Sequence, residues 1–118
     1  MHEGPQSIGS RASTYYNAPI EPGMLTSNEP GIYRADEWGI RIENLVLTVE
    51  DQKTEFGDFL KFETVTLCPL DTTLIEKAML SQAEMDWVNT YHKEVYDKIS
   101  PKLNEVEANW LKEKTNAI

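Results

Sequence analysis

Between Met24 and Glu50 two apolar runs flank a stretch rich in proline, glycine and charge. The first run, Met24 to Glu29, stops at Pro30. The second, Ile40 to Val49, alternates with a period of two: Arg41, Glu43, Leu45 and Leu47 fall on one face, and Ile40, Ile42, Asn44 and Val46 on the other. This pattern predicts an antiparallel pair folded back through a loop from Pro30 to Gly39. The polar segment 51–58 reads as a turn or loop. Phe59 to Leu67 reads as another strand, with Phe62, Thr64 and Thr66 alternating with Lys61, Glu63, Val65 and Leu67, and Pro69 closes it.

From residue 71 the period changes. Asp71-Thr72-Thr73 suits the cap of a short helical turn near Leu74. Ser81 and Glu84 form an S-x-x-E capping box. Behind it, Trp87, Val88, Tyr91, Val95 and Ile99 recur at spacings of three and four, one apolar helical stripe. Ser100-Pro101 predicts a second helix with Ser100 as N-cap, carrying Leu103, Val106, Trp110 and Leu111 to about Lys114. Trp87, Tyr91 and Trp110 are read as core, His92 as surface, and Thr115 to Ile118 as a fraying tail. Residues 1 to 23 are punctuated by Gly4, Pro5, Gly9, Ser10, Pro19, Pro22 and Gly23, so they read mostly as loop. The expected class is α+β, an antiparallel sheet followed by two C-terminal helices, divided into residues 1–70 and 71–118.

Composition narrows the functions. The 118 residues fit one modest domain, and 40% apolar content is that of a globular chain. A net charge of −9 argues against nucleic acid and against anionic membranes as partners. No apolar stretch approaches the ~20 residues that span a bilayer, and the N-terminus has no apolar secretory core. The single cysteine, Cys68, excludes an intramolecular disulfide and, in its apolar run, reads as a buried inert thiol in a reducing compartment. Internal repeats, phosphate-cradling loops and zinc-type Cys/His spacings are missing from the sequence.

The chemistry resides in two carboxylates. Folding the hairpin brings Glu29 and Glu43 together, and directly opposed side chains lie about 5 Å apart. Like charges so placed need compensation: a cation, a shared proton, or Arg41 on the same face as Glu43. As an ordinary hairpin, both glutamates would simply point to water.

Specific words favour the first kind of reading. His-Glu-Gly-Pro at 2–5, Glu-Pro-Gly-Met at 21–24, Asn-Glu-Pro-Gly at 28–31 and Gly-Ile-Arg-Ile-Glu-Asn at 39–44 occur in order. With them the chain closely resembles the C-terminal catalytic segment of aminopeptidase P, the Xaa-Pro aminopeptidase family of pita-bread metallopeptidases. Leu-Cys-Pro-Leu at 67–70, Met85 to His92 and Trp110-Leu111 resemble the C-terminal extension of the larger, eukaryotic-type enzymes. The resemblance implies a partial pita-bread fold and a dinuclear site, usually manganese, with cobalt, zinc or magnesium as alternatives. It implies that Glu29 is a metal ligand and general base, and that Glu43 is a carboxylate bridging both metals. Arg41 would orient the site, and His2 would contact substrate and stabilise the tetrahedral intermediate. The implied substrates are peptides with proline second, the implied assembly a homodimer through the C-terminal helices, and the implied compartment the cytoplasm.

The physics is compatible with those roles. Hard oxygen ligands suit manganese, magnesium or cobalt. Cations keep opposed carboxylates ionised. The family uses two aspartates, one histidine and two glutamates, and here only the glutamates have counterparts. Asp36 and Glu37 are read as solvated. His-Glu-Gly-Pro directly after Met1 leads us to expect the C-terminal portion of a longer protein, or a shortened gene model. The isolated chain is expected to bind metal weakly, to be inactive, and to be marginally stable through exposed sheet edge and apolar surface. The alternative function is a non-catalytic pita-bread-derived binding or dimerisation module.

Overall fold

The structure is a computed structural model and describes residues 4–9 and 18–118. The chain forms two compact units that divide between Thr66 and Leu67. The first is all antiparallel β: β1 (Leu25–Asn28), β2 (Gly31–Arg34), β3 (Trp38–Arg41), β4 (Asn44–Thr54) and β5 (Gly57–Thr64). β1, β4 and β5 form one sheet in that order, and β2 and β3 form a two-stranded hairpin.

The predicted pair exists, but its boundaries differ. Residues 31–41, expected to be a loop, are mostly the β2–β3 hairpin, turned at Ala35–Glu37 with Asp36 in the left-handed region that Asp tolerates (φ 59°). The run from Ile40 to Val49 is split between β3 and β4 at Ile42 and Glu43. The register runs unbroken through that split. Asn28 pairs with Asn44 on one side of it and Gly31 with Arg41 on the other, so Pro30 lies opposite Ile42 and Glu29 opposite Glu43. Ile42 N–H donates to the Pro30 carbonyl at 3.3 Å. Pro30 has no N–H to return the bond, which explains why the ladder lapses there. β4 also runs through the segment expected to be a loop, to Thr54, and turns tightly into β5. The alternation was read correctly: Asn44, Val46 and Thr48 are buried on one face of β4.

The second unit holds α1 (Gln82–Ile99) and α2 (Glu105–Lys114). α1 starts at the predicted box: Ser81 accepts from Glu84 N–H while the Glu84 side chain takes the Ser81 N–H. The Ser81 hydroxyl and amide donate to the Glu84 carboxylate and hold its pKa below the usual carboxylate range. α2 starts later than expected. Ser100–Lys102 is a 3-10 turn, Ser100 caps the end of α1, and the N-cap of α2 is Asn104, boxed with Glu107. Near Leu74 there is a turn braced by Asp71, which accepts from Thr73 N–H; the short 3-10 helix comes later, at Lys77–Met79.

The core of this unit is Tyr91, Val95 and Leu111, packed by Leu67, Leu70, Tyr96, Ile99 and Leu103. Several burial expectations reverse. Trp87 is half exposed and stacks on Tyr91 at 5.3 Å between ring centres, and Trp110 is 55% exposed. His92, expected at the surface, is fully buried, while Cys68 is exposed. The tail does not fray: Ile118 N–H donates to Asn89 Oδ1 at 2.9 Å, and Thr115 Oγ1 donates to the Leu111 carbonyl.

Candidate metal centre

The site is built on the lapse in the long ladder. Even positions carry the backbone bonds of this ladder, as Thr48 N–H to the carbonyl of Met24, just before β1, and Ile42 N–H to the Pro30 carbonyl show. Odd positions therefore form the non-hydrogen-bonded pairs, in which opposed side chains come closest. Glu29 and Glu43 are such a pair, on the same face as Ser27, Gly31 and Tyr33 of one strand and Gly39, Arg41 and Leu45 of the other. The register therefore sets the two glutamates opposite one another on one face.

Arg41 lies between the two acids. Its Nη1 is 3.4 Å from Glu29 Oε2 and its Nε is 3.2 Å from Glu43 Oε2. Glu29 Oε1 accepts from Ser27 Oγ at 2.9 Å. Of the three forms of compensation open from sequence, the described atoms provide the arginine. The Tyr33 phenol, then Glu43, and more weakly Glu29 hold the guanidinium pKa above its ordinary value. Ser27 and Tyr33 are site residues that sequence reading missed. Ser27 was signalled by lying two residues from Glu29 on a strand; Tyr33 was hidden by reading its strand as loop.

Two converging carboxylates are hard donors that fit a divalent cation. They are only part of a set: among the described residues, no group of three or more His, Cys, Asp or Glu gathers as a metal site. Asp36 and Glu37 sit in the exposed β2–β3 turn, where Glu37 pairs with Arg34 at 3.7 Å. His2 lies outside the described residues. A cleft of about 510 Å³ in the second unit, lined by Cys68 to Thr73 and the end of α2, contains none of these residues.

Residues 58–118 match the family model for the C-terminal region of peptidase M24. The chain belongs to the M24 metallopeptidase family. Residues 1–50 match the model of metallopeptidase family M24 itself. A "Probable Xaa-Pro aminopeptidase P" of Coprinopsis cinerea is 48% identical, over all of this chain and 20% of the relative. A protein of the same description from Arthroderma otae is 45% identical over the same shares. Among solved structures, X-prolyl aminopeptidase from Caenorhabditis elegans, described as a cytosolic enzyme with a di-nuclear active site, matches with a TM-score of 0.82 and 33% identity. That match covers 99% of this chain and 19% of the other. The fold is thus a portion of the pita-bread aminopeptidase fold, antiparallel sheets followed by two C-terminal helices, as the resemblance to aminopeptidase P implied. The chain spans about a fifth of the length of the curated relatives it matches.

Proposed function

We propose that this chain is the C-terminal part of a metal-dependent Xaa-Pro aminopeptidase, which removes the N-terminal residue from peptides with proline second. The observation that carries the reading is the closest-approach pairing of Glu29 with Glu43, spanned by Arg41. In this role Glu29 and Glu43 hold a pair of divalent ions, with manganese first and cobalt, zinc or magnesium as alternatives. Such a pair, when bound, supplies a hydroxide nucleophile at neutral pH. Glu29 takes the proton from the attacking water, Arg41 aligns both carboxylates, and His2 contacts the substrate. Two carboxylates are too few donors, so by itself the chain binds metal weakly and does not cleave peptides.

The C. elegans neighbour is described as cytosolic, and we place this chain in the cytoplasm on that likeness. No helix among the described residues is long and apolar enough to cross a membrane. Exposed Val106 and Trp110 on α2 support a homodimer through the C-terminal helices, and they are also what favours the second reading, a binding or dimerisation module without catalysis.

The test replaces the matched fifth of the Coprinopsis protein with this chain. The chimera is expected to cleave a peptide with proline second. Glu29→Gln and Glu43→Gln should each lower kcat/KM by roughly 100-fold or more, beyond the loss of an outer-shell partner, with a fall in bound metal. A folded, metal-loaded chimera indifferent to both changes would sink the site assignment; one that is folded but inert would favour the binding module. Calorimetric titration of the 118-residue chain with Mn²⁺ should show no tight site.

A further inference from the structure

β4 is flanked by β1 and β5, whereas β5 has a neighbour on one side only among the described residues. β5 itself is regular: the bulge in the ladder belongs to β4, where Asp51 and Gln52 stand opposite Phe59 alone. Val65, one residue past β5, donates its N–H to the Leu45 carbonyl at 3.0 Å. Odd positions of β5 therefore bond inward to β4, and Leu60, Phe62 and Thr64 turn their N–H and C=O groups outward. A row of such groups is a template for another strand. The side chains along it are exposed, Phe59, Leu60, Phe62 and Val65 among them. Lys61 meets Asp51 of β4 at 3.0 Å, while Glu63, opposite Leu47, has no ion pair among the described residues.

We propose that a second copy of this chain docks on the outer edge of β5, antiparallel and two-fold symmetric, with Lys61 of each copy opposite Glu63 of the other. In a two-fold pair the same patch serves both copies. Outward-facing even residues must meet even ones to exchange N–H···O bonds, and odd residues then meet odd ones in the closest side-chain pairs. Few registers obey this rule and keep most of β5 in contact. One sets Lys61 against Lys61, and another sets Glu63 against Glu63; like charges at closest approach disfavour both. A third sets Lys61 against Phe59 and leaves Glu63 facing Gly57. The last sets Lys61 against Glu63 on both sides of the axis, and on the same face it sets Phe59 against Val65. On the other face it brings Phe62 against Phe62 and Leu60 against Thr64. A lysine on an edge strand by itself discourages pairing. Glu63, two residues on, makes that lysine half of a self-complementary pair and selects the register.

This pairing is independent of the peptidase reading, and its failure would leave that reading untouched. The test measures the dimer Kd of the full 118-residue chain by sedimentation equilibrium. Reducing buffer keeps the exposed Cys68 from forming a disulfide, and circular dichroism checks the fold of each variant. Lys61→Glu and Glu63→Lys each put like charges in the closest pairs, and each should raise Kd about 10-fold or more. The double reversal, Lys61→Glu with Glu63→Lys, restores opposite charges and should recover most of that loss. Amide exchange of the unaltered chain gives a second readout. The Leu60, Phe62 and Thr64 amides should become protected only at concentrations where the dimer forms, whereas the inward-bonded Lys61 and Glu63 amides should be protected throughout. A Kd unchanged by both single reversals, or Leu60, Phe62 and Thr64 amides that stay unprotected in the dimer, would overturn the proposal. Association would then run through another surface, such as Val106 and Trp110 of α2. A chain monomeric at every concentration would overturn it too.

Discussion

By sequence His92 reads as a surface residue, because Lys93 and Glu94 follow it and it stands just off the apolar stripe of α1. The structure buries it completely, because two backbone groups require it. Leu70 N–H donates to Nε2 at 3.1 Å, so Nε2 carries a lone pair, and Nδ1 carries the hydrogen that faces the Asn116 carbonyl at 3.5 Å. One ring therefore ties both the segment before the helices and the C-terminal tail to α1. Tyr91 ties the same segment, donating to the Cys68 carbonyl at 2.9 Å. His92→Ala would leave the Leu70 amide without its partner and open a cavity, at a cost of about 2–4 kcal/mol. His92→Gln retains an acceptor and should lose less. Urea denaturation of the three proteins checks the order, and an alanine variant as stable as the wild type would refute the tie.

At the scale of elements, caps outweighed apolar period in deciding boundaries. Ser81 and Glu84 place the start of α1 where the sequence puts it. Ser100-Pro101 carries an equally plausible signal, yet the stronger Asn104–Glu107 box lies four residues on, and extended Leu103 (φ −105°, ψ 156°) separates the two. Asn104→Ala should destabilise the chain by about 1 kcal/mol, the usual worth of an N-cap, while Ser100→Ala should cost far less. Thermal melts of the two variants distinguish the two starting points. Equal losses would mean that the capping box does not set where α2 begins. The β elements teach the complementary lesson. Pro30 is the stop that the sequence predicts, but it interrupts the hydrogen bonds without ending the pairing, and the strands resume beyond it as β2 and β3.

For the whole molecule, the core is small for its length. Among the described residues only Val46, Val88, Tyr91, Val95 and Leu111 are buried apolar side chains, whereas Ile32, Phe56, Leu74, Met79 and Val106 are largely exposed. Apolar surface on this scale, with β1 and β5 at the edges of their sheet among the described residues, favours association. We expect the purified chain to self-associate with rising concentration in sedimentation velocity and to melt at low temperature. A monomer with a cooperative, high-temperature melt would contradict this.

The sequence by itself determined the alternation that puts Arg41 and Glu43 on one strand face, the capping box of α1 and the family, because each is written in neighbouring residues or in ordered words. The tertiary structure decided the rest: the burial of His92 and the exposure of Trp110 and Cys68. Those depend on which distant backbone groups and side chains arrive at a position, and local periodicity does not carry that information.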